Sequence, residues 1–380
     1  MLAENKGMVV IFSTSYLPFL GGAETAVKGI TDEVDDFSFV MLTACFERNL
    51  PRAEKMGNVI VYRLGAGTRL DKFFLPLTAF FKFLSLKKSL GKPILFWAVM
   101  VSYSSLAALF LKYFYPQIPL LLTVQEGDSA AHIRYSRFGL IGLFWRRLLK
   151  RADRIQVISH YLKELCLDFG ARAPIEVIPN GVDLEKFKVK SENLEVRNEN
   201  LKTVITVSRL VYKNGIDTLI LALAEVKKRI PDVELHIVGD GPLGKSLARM
   251  VYDLGLENDV KFFGNISHDK IPQYLAGAHV FVRPSRSEGL GTAFLEAMAA
   301  GLPVIATPVG GIKDFLRDGE TGLMTKIDEP QYLAGEICRL LTDGSLREKL
   351  ARNGKKLVED NYQWRAIASR MRNIFVFLLS

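Results

Sequence analysis

A chain of 380 residues is too long for one simple core and fits two domains of about 180 residues each. Hydrophobic residues make up 49% and charged residues 24%, close to an average folded protein, which excludes disordered, collagenous and coiled-coil classes. The net charge of +9 is uneven: residues 1–190 hold 25 Lys and Arg against 17 Asp and Glu, whereas residues 191–380 hold 25 against 24. One half therefore carries the basic character, which points to an anionic partner, either nucleic acid or an anionic membrane surface.

Near the start, Met8–Ser13 is a strand-length apolar run rather than the apolar core of a secretory leader, so the cytosol is the expected compartment. Further runs follow at 39–43, 59–63, 94–99, 120–124, 155–159 and 175–179, separated by longer amphipathic stretches. This alternation predicts a parallel sheet flanked by helices. Ile94–Leu111 is uncharged over 18 residues, but Ser102, Ser104 and Ser105 interrupt it, and it reads as a strand followed by a buried helix rather than a membrane span. The segment Lys186–Lys202 is charged, poor in large apolar residues and unable to supply a core strand, so the domain boundary is expected there. A second series of strands then runs at 204–208, 234–239, 260–264, 280–285 and 303–307.

In such sheets ligands meet the loops beyond the carboxyl ends of the strands, so chemistry is expected just after each run. Gly21 and Gly22 precede a helix and would let backbone amides approach a phosphate. Arg209 and Lys213 lie on the loop after the 204–208 strand, where two cations suit a pyrophosphate; the Gly239–Pro242 loop is compatible with nucleotide contact. The strongest signal is Ser285–Gly301, in which a loop holding Glu288 leads into a short helix carrying Glu296. The amides of Gly289, Leu290, Gly291 and Thr292 can cradle phosphate or sugar oxygens. Glu288 can reach sugar hydroxyls, and Glu296 can accept both hydroxyls of a ribose.

Cys45, Cys166 and Cys338 are far apart in sequence and support neither a disulfide framework nor a zinc site. His132, His160, His236, His268 and His279 are scattered and read as ordinary surface or core residues.

With these residues in view, the chain resembles the retaining glycosyltransferases of family 4, built on the GT-B fold. The resemblance rests on Gly21–Glu24, Val177–Asp183, Val207–Leu210, the Glu288-x7-Glu296 pair and the glycines at 310, 311, 319 and 322. It implies an α/β protein of two doubly wound Rossmann-like domains facing an interdomain cleft. Residues 1–185 would form an acceptor-side domain against which the last helix, 364–380, packs back, and residues 186–363 would bind the donor. It also implies transfer of a sugar of the hexosyl type from a nucleotide-sugar, UDP- or GDP-linked, to an acceptor hydroxyl with retained configuration. No metal or cofactor is implied. Glu288, Gln125, Arg209 and Lys213 would carry the reaction. Gly21, Gly22, Asn265, Ile266, Glu296 and the 289–292 loop would complete the donor contacts. Similar enzymes are thought to use a front-face route in which the leaving phosphate takes the acceptor's proton, consistent with the lack of an evident general base.

Two positions depart from the family pattern. Gln125 stands where members commonly carry His, and retains the ability to donate and accept hydrogen bonds. Asn214 stands where the phosphate-binding Lys usually falls, five residues after Arg209, and Lys213 is expected to substitute for it. A nucleotide-sugar epimerase and a non-catalytic nucleotide-sugar-binding protein fit the same architecture; an epimerase would need no acceptor, and the presence of both Glu288 and Glu296 argues against a lost activity.

The basic half is concentrated in residues 69–92, with six basic residues and one acid, and 133–154, with seven and one. In the second stretch Ile141, Phe144, Leu148 and Ile155 are expected to share one helix face, and Arg147, Lys150, Arg151 and Arg154 another. Basic, aromatic-rich amphipathic segments suit an anionic membrane surface. Nucleic acid is disfavoured because no binding module accompanies the charge. The expectation is a cytoplasmic enzyme, peripheral on the inner face of the cell membrane, with a glycan or lipid-linked acceptor.

Overall fold

The computed structural model of the chain describes residues 7–19, 21–89, 93–135, 139–188 and 201–380. Of the charged stretch at 186–202, residues 189–200 lie outside the described residues. The chain divides into two compact units: residues 1–181 together with 364–380, and residues 182–363.

The N-terminal unit runs β1 (Met8–Phe12), α1 (Gly22–Glu33), β2 (Ser38–Ala44), β3 (Ala53–Met56), β4 (Val59–Leu64), α2 (Asp71–Leu86), β5 (Ile94–Val99), α3 (Tyr103–Phe114), β6 (Leu120–Val124), α4 (Ala130–Tyr135), α5 (Leu140–Arg151), β7 (Arg154–Val157), α6 (His160–Asp168) and β8 (Ile175–Val177). Its sheet has the order β3-β4-β2-β1-β5-β6-β7-β8, parallel except for the β3–β4 pair. The central strands β5 and β6 are buried at every residue, as expected when helices cover both faces. The uncharged run at 94–111 is β5 followed by most of α3, and no helix among the described residues is long and apolar enough to cross a membrane.

The C-terminal unit runs β9 (Lys202–Val207), α7 (Ile216–Lys227), β10 (Val233–Val238), α8 (Gly244–Asp253), β11 (Val260–Gly264), α9 (Ile271–Ala276), β12 (Val280–Arg283), α10 (Thr292–Ala299), β13 (Val304–Ala306), β14 (Leu323–Met324), α11 (Pro330–Thr342) and α12 (Gly344–Asn361). The sheet order is β11-β10-β9-β12-β13-β14, all parallel. Its main core joins the sheet to the apolar faces of α7 and α11 through residues such as Leu219, Leu223, Leu333 and Ile337.

The last helix, α13 (Trp364–Leu379), belongs to the N-terminal unit. Its Ile367, Met371, Ile374 and Phe375 join the core beneath β1, β2 and β5, and Arg372 donates two hydrogen bonds to Asp36. Trp364 is seated by two glycines: a Cβ at Gly29 or Gly181 would lie 2.5 or 2.6 Å from its ring. Any side chain at either position would have to displace the indole.

Each sheet reverses its winding once, between β1 and β5 in the first unit and between β9 and β12 in the second. Loops beyond the carboxyl ends of strands at such a reversal diverge and leave a crevice. They carry Gly21–Gly22 and Met100–Val101 in the first unit, and Arg209–Lys213 and Ser285–Gly291 in the second.

The expectation that Ile155 and Arg154 extend the helix faces of the 133–154 stretch is corrected by the structure. Among the described residues α4 and α5 cover this stretch, and α5 ends at Arg151 because Ala152 turns extended (φ −64°, ψ 140°) to feed β7, which takes Arg154 and Ile155. The buried face of α5 is Gly142, Trp145, Leu148 and Leu149, not the face through Ile141 and Phe144, because Trp145 fixes the phase by packing against Phe169.

Candidate functional site

In the C-terminal unit, the loop after β9 is held by backbone bonds to the Gly239–Pro242 loop: Leu210 N donates to Asp240 O (3.0 Å) and Leu243 N to Leu210 O (3.1 Å). Arg209 projects from this frame and is exposed. Asn214 is buried, and its side-chain amide donates to the Arg209 carbonyl at 2.6 Å. The position where a phosphate-binding Lys is usual thus serves as an internal strut, and the adjacent half-buried Lys213 lies on the same short 3-10 turn. That turn is fixed in its own right. Arg286 N donates to Lys213 O at 2.7 Å, while the Arg286 guanidinium pairs with Asp217 (2.7 Å) and Asp328 (2.7 Å) and stacks over Tyr212. Burial opposes the charge on Arg286, but its two carboxylate partners outweigh that and raise its pKa.

The two glutamates sit on the neighbouring strand's loop and helix. Arg283, the last residue of β12, is buried, and its Nη2 lies 2.6 Å from Glu288 Oε2. Its Nε reaches Ser285 Oγ (3.2 Å), its Nη1 the Val207 carbonyl (3.3 Å), and its plane lies 4.5 Å from the Phe294 ring centre. Burial lowers the Arg283 pKa, and the charges of Glu288 and Glu296 pull it back. Glu288 Oε1 accepts from the Gly289 amide (3.0 Å), so both carboxylate oxygens are anchored. Its carbonyl accepts from Gly311 N (3.2 Å). A Cβ at Gly310 would stand 1.8 Å from that same carbonyl, which with φ +52° explains the glycine there.

Gly291, left-handed at φ 90°, turns the chain into α10. Leu290 is a core residue, 1% exposed, so it can offer a ligand only its backbone. Glu296 lies on the first turns of α10, largely buried, and its Oε1 is 2.8 Å from His268 Nε2. This hydrogen bond, first among several influences, raises the His268 pKa; burial and Lys186 act against it. His268 belongs to the loop after β11 that also carries exposed Asn265 and half-buried Ile266. The structure therefore brings Glu288, Glu296, Arg283 and His268 into one polar cluster. Of these, Arg283 and His268 were not singled out by the sequence. The only available signal was an arginine closing an otherwise apolar strand.

The N-terminal unit supplies a second group of residues. Gly21 is extended ahead of α1 with no side-chain cap; a Cβ at Gly22 would meet nothing within 4 Å, whereas one at Gly21 would stand 2.7 Å from the Glu24 carboxylate. Helix N-termini of this kind attract anions. After β6, Gln125 Oε1 accepts from Asn180 Nδ2 at 3.1 Å. Next to it Glu126 is buried, with one oxygen accepting from Val101 N and the other from Gln125 N (3.0 Å). Burial pushes its carboxyl up from the ordinary 4.5 to about 7, against the lowering effect of those amides. Glu126 so joins the loops after β5 and β6, and the former contains Met100 in a left-handed conformation (φ 64°).

Residues 188–357 match the family described as Glycosyl transferases group 1, and residues 20–186 match Glycosyltransferase Family 4. The chain belongs to the group 1, family 4 glycosyltransferases. Sucrose-phosphate synthase from Thermosynechococcus elongatus is 25% identical and superposes with a TM-score of 0.85 over 98% of this chain and 99% of that one. HepE of Anabaena, solved in complex with UDP and glucose, is 23% identical, with a TM-score of 0.80 over 97% and 99%. The fold is GT-B, with two Rossmann-like domains. A GDP-mannose-dependent α-(1-6)-phosphatidylinositol monomannoside mannosyltransferase of Mycolicibacterium smegmatis is 34% identical over 242 residues, 60% of this chain and 63% of that protein. The match thus spans less than two thirds of that curated relative.

Proposed function

We propose that this protein transfers a sugar from a nucleotide-sugar donor to an acceptor hydroxyl in glycan or glycolipid synthesis, with retention of anomeric configuration and without a metal ion. The observation that carries the reading is the cluster in the C-terminal unit, where a buried arginine fixes Glu288 and a histidine meets Glu296 at the start of α10. Carboxylates held this rigidly are preorganised to accept hydroxyl groups, as sugar and ribose present them. In this reading Glu296 takes the ribose, Asn265 and Ile266 the base, and the amides of Gly289, Gly291 and Thr292 the transferred sugar and its phosphate. Glu288, whose carboxylate keeps acceptor capacity beside its bonds to Arg283 and the Gly289 amide, holds hydroxyls of the transferred sugar and sets the shape of that loop.

Arg209 and Lys213 supply the positive potential that stabilises the leaving diphosphate. The anomeric carbon–phosphate oxygen bond breaks, the bond to the acceptor oxygen forms on the same face, and the acceptor's proton passes to the departing phosphate. No side chain need act as base. Gln125, held by Asn180, presents an amide that can both donate to and accept from the sugar's hydroxyls.

A guanine base is supported by the GDP-mannose-dependent relative and a uracil base by the UDP complex of HepE. The epimerase alternative is not favoured, given the family membership. The acceptor is assigned to the N-terminal unit, whose basic excess suits a lipid-linked acceptor at the inner face of the cell membrane. The test is turnover with GDP-mannose and UDP-glucose in the presence of extracted lipid and of simple sugar acceptors, with NMR of the product. Formation of an α-linked product in the presence of EDTA supports all parts of the proposal. Conversion of the donor without any acceptor would replace it with epimerisation, and an inverted product would sink the retaining mechanism.

A further inference from the structure

One face of the N-terminal unit is built the wrong way round for a soluble protein. On α2 the core is met by Leu75, Ala79 and Phe83, spaced by four residues. The opposite side carries Leu70, Phe73, Phe74, Leu77, Phe81 and Leu84, all exposed, with Phe74 at 59% and Phe81 at 60%. At 100° per residue these six fall within about a third of the helix circumference, so they form one stripe. Ring contacts carry it onto α3: Phe73 packs on Tyr103 and Phe80 on Phe114, which is itself 66% exposed. Contiguous apolar surface of this extent on a folded protein marks a binding face.

The stripe leads to a groove of about 450 Å³ between α3 and α5, walled by Leu106, Leu109, Phe110, Ile141 and Phe144. The outward face of α5 runs from Leu140 and Leu143 at its start to Arg147 and Arg151 at its end, each one turn or so from the last. Arg147 lies on the groove wall and Arg151 stacks on Tyr113. The two acids of the surrounding sequence are engaged elsewhere. Asp71 accepts from the Gly67 and Thr68 amides, and Asp153 pairs with Lys112 at 2.7 Å. The face is therefore apolar at one end and cationic at the other, with no carboxylate on α5 to offset it.

We propose that this face docks on a bilayer and that the α3–α5 groove takes one acyl chain of an anionic phospholipid, whose phosphate is held by Arg147 and Arg151. An apolar groove with Arg147 on its wall and Arg151 one turn further along α5, stacked on the lining Tyr113, matches a chain joined to a phosphate, and an isolated headgroup would leave the groove and the aromatic stripe unused. The proposal deepens the lipid-acceptor reading above and rests on it for its link to catalysis, though the binding itself stands alone.

The test uses the full chain with vesicles of phosphatidylcholine, with and without phosphatidylglycerol, by flotation. Wild type should float with the anionic vesicles at low salt, and Arg147→Ser with Arg151→Ser should weaken this by roughly tenfold or more. Phe110→Gln with Leu143→Gln, both at exposed positions, should abolish it. Chain occupancy is read with Phe144→Trp, whose fluorescence should be quenched by phospholipid brominated on its acyl chains and not by glycerol phosphate. Equal flotation of the double arginine variant, or no quenching of the new tryptophan, would overturn the proposal. So would self-association through this face, seen as a dimer in light scattering that Phe110→Gln dissolves while vesicles are ignored. Donor calorimetry on the same samples keeps the two readings apart: absent donor binding with intact flotation would defeat the transferase assignment and leave this one standing.

Discussion

The glutamate cluster of the C-terminal unit and the α2–α3–α5 face of the N-terminal unit place their charge in opposite ways. In the glutamate cluster the charges are largely inside and paired, as in Arg283 with Glu288 and His268 with Glu296. On the N-terminal face Arg147 and Arg151 of α5 and Phe73, Phe74, Phe81, Phe110 and Phe114 of α2 and α3 are outside. Buried, mutually bonded groups hold a fixed geometry, as recognition of a defined small molecule requires. An exposed apolar and cationic face instead tolerates many arrangements, as contact with a fluid surface requires. The difference suggests a donor read by rigid contacts and an acceptor met at an adaptable surface.

The largest effect is expected where the internal pairing is broken. Arg283→Met leaves Glu288 without its buried partner and should cost about 3 kcal/mol of stability, read as a lowered denaturant midpoint in the C-terminal unit. If stability is unchanged, the pair does not hold the loop. In the proposed reading Glu296→Ala removes charged hydrogen bonds to the donor, worth about 3 kcal/mol together, so donor affinity of the folded variant should fall by roughly a hundredfold.

A comparable effect is expected from Glu126. A carboxyl raised to about 7 binds its proton more tightly in the folded than in the unfolded state, so stability is fully present below the ordinary value near 4.5 and declines as pH rises to 7. The whole change is on the order of 3 kcal/mol at most. Thermal melts of wild type between pH 5 and 7.5 should show this slope, and Glu126→Gln should flatten it; a parallel slope in the variant would assign the titration elsewhere. Smaller still, Lys213→Ala should weaken the donor by about tenfold, the contribution of one cation to a diphosphate. Unchanged affinity would show that Lys213 does not replace the missing lysine at position 214.

How far the sequence foretold this depends on the range of the interaction. Both sheets were legible because their buried strands contain apolar runs such as Ile94–Val99 and Val280–Val282. β3 was not, since Ala-Glu-Lys-Met lies at the sheet edge with alternating exposure and carries no apolar run. β14 is two residues long, too short for any periodic signal. In the site, the segment from Glu288 to Glu296 was readable because loop and helix are consecutive. The partners were not, because His268 and Glu296 are 28 residues apart and Asn180 and Gln125 are 55 apart, brought together only by the winding of the sheets. On α5 the apolar and basic residues were legible but their phase was not. The position of Trp145 in the core turned Arg147 and Arg151 outward and left Phe144 half-buried on the groove wall.

The measurement that tests the central claim most directly is calorimetry of wild type and Glu296→Ala against UDP-, GDP- and ADP-sugars with EDTA present. The account predicts that wild type binds the sugars of one base in the micromolar range or tighter and that the variant loses them. Binding that survives in Glu296→Ala would contradict the role given to the buried carboxylate. No binding by wild type to any of the three would contradict a preorganised donor site in the C-terminal unit.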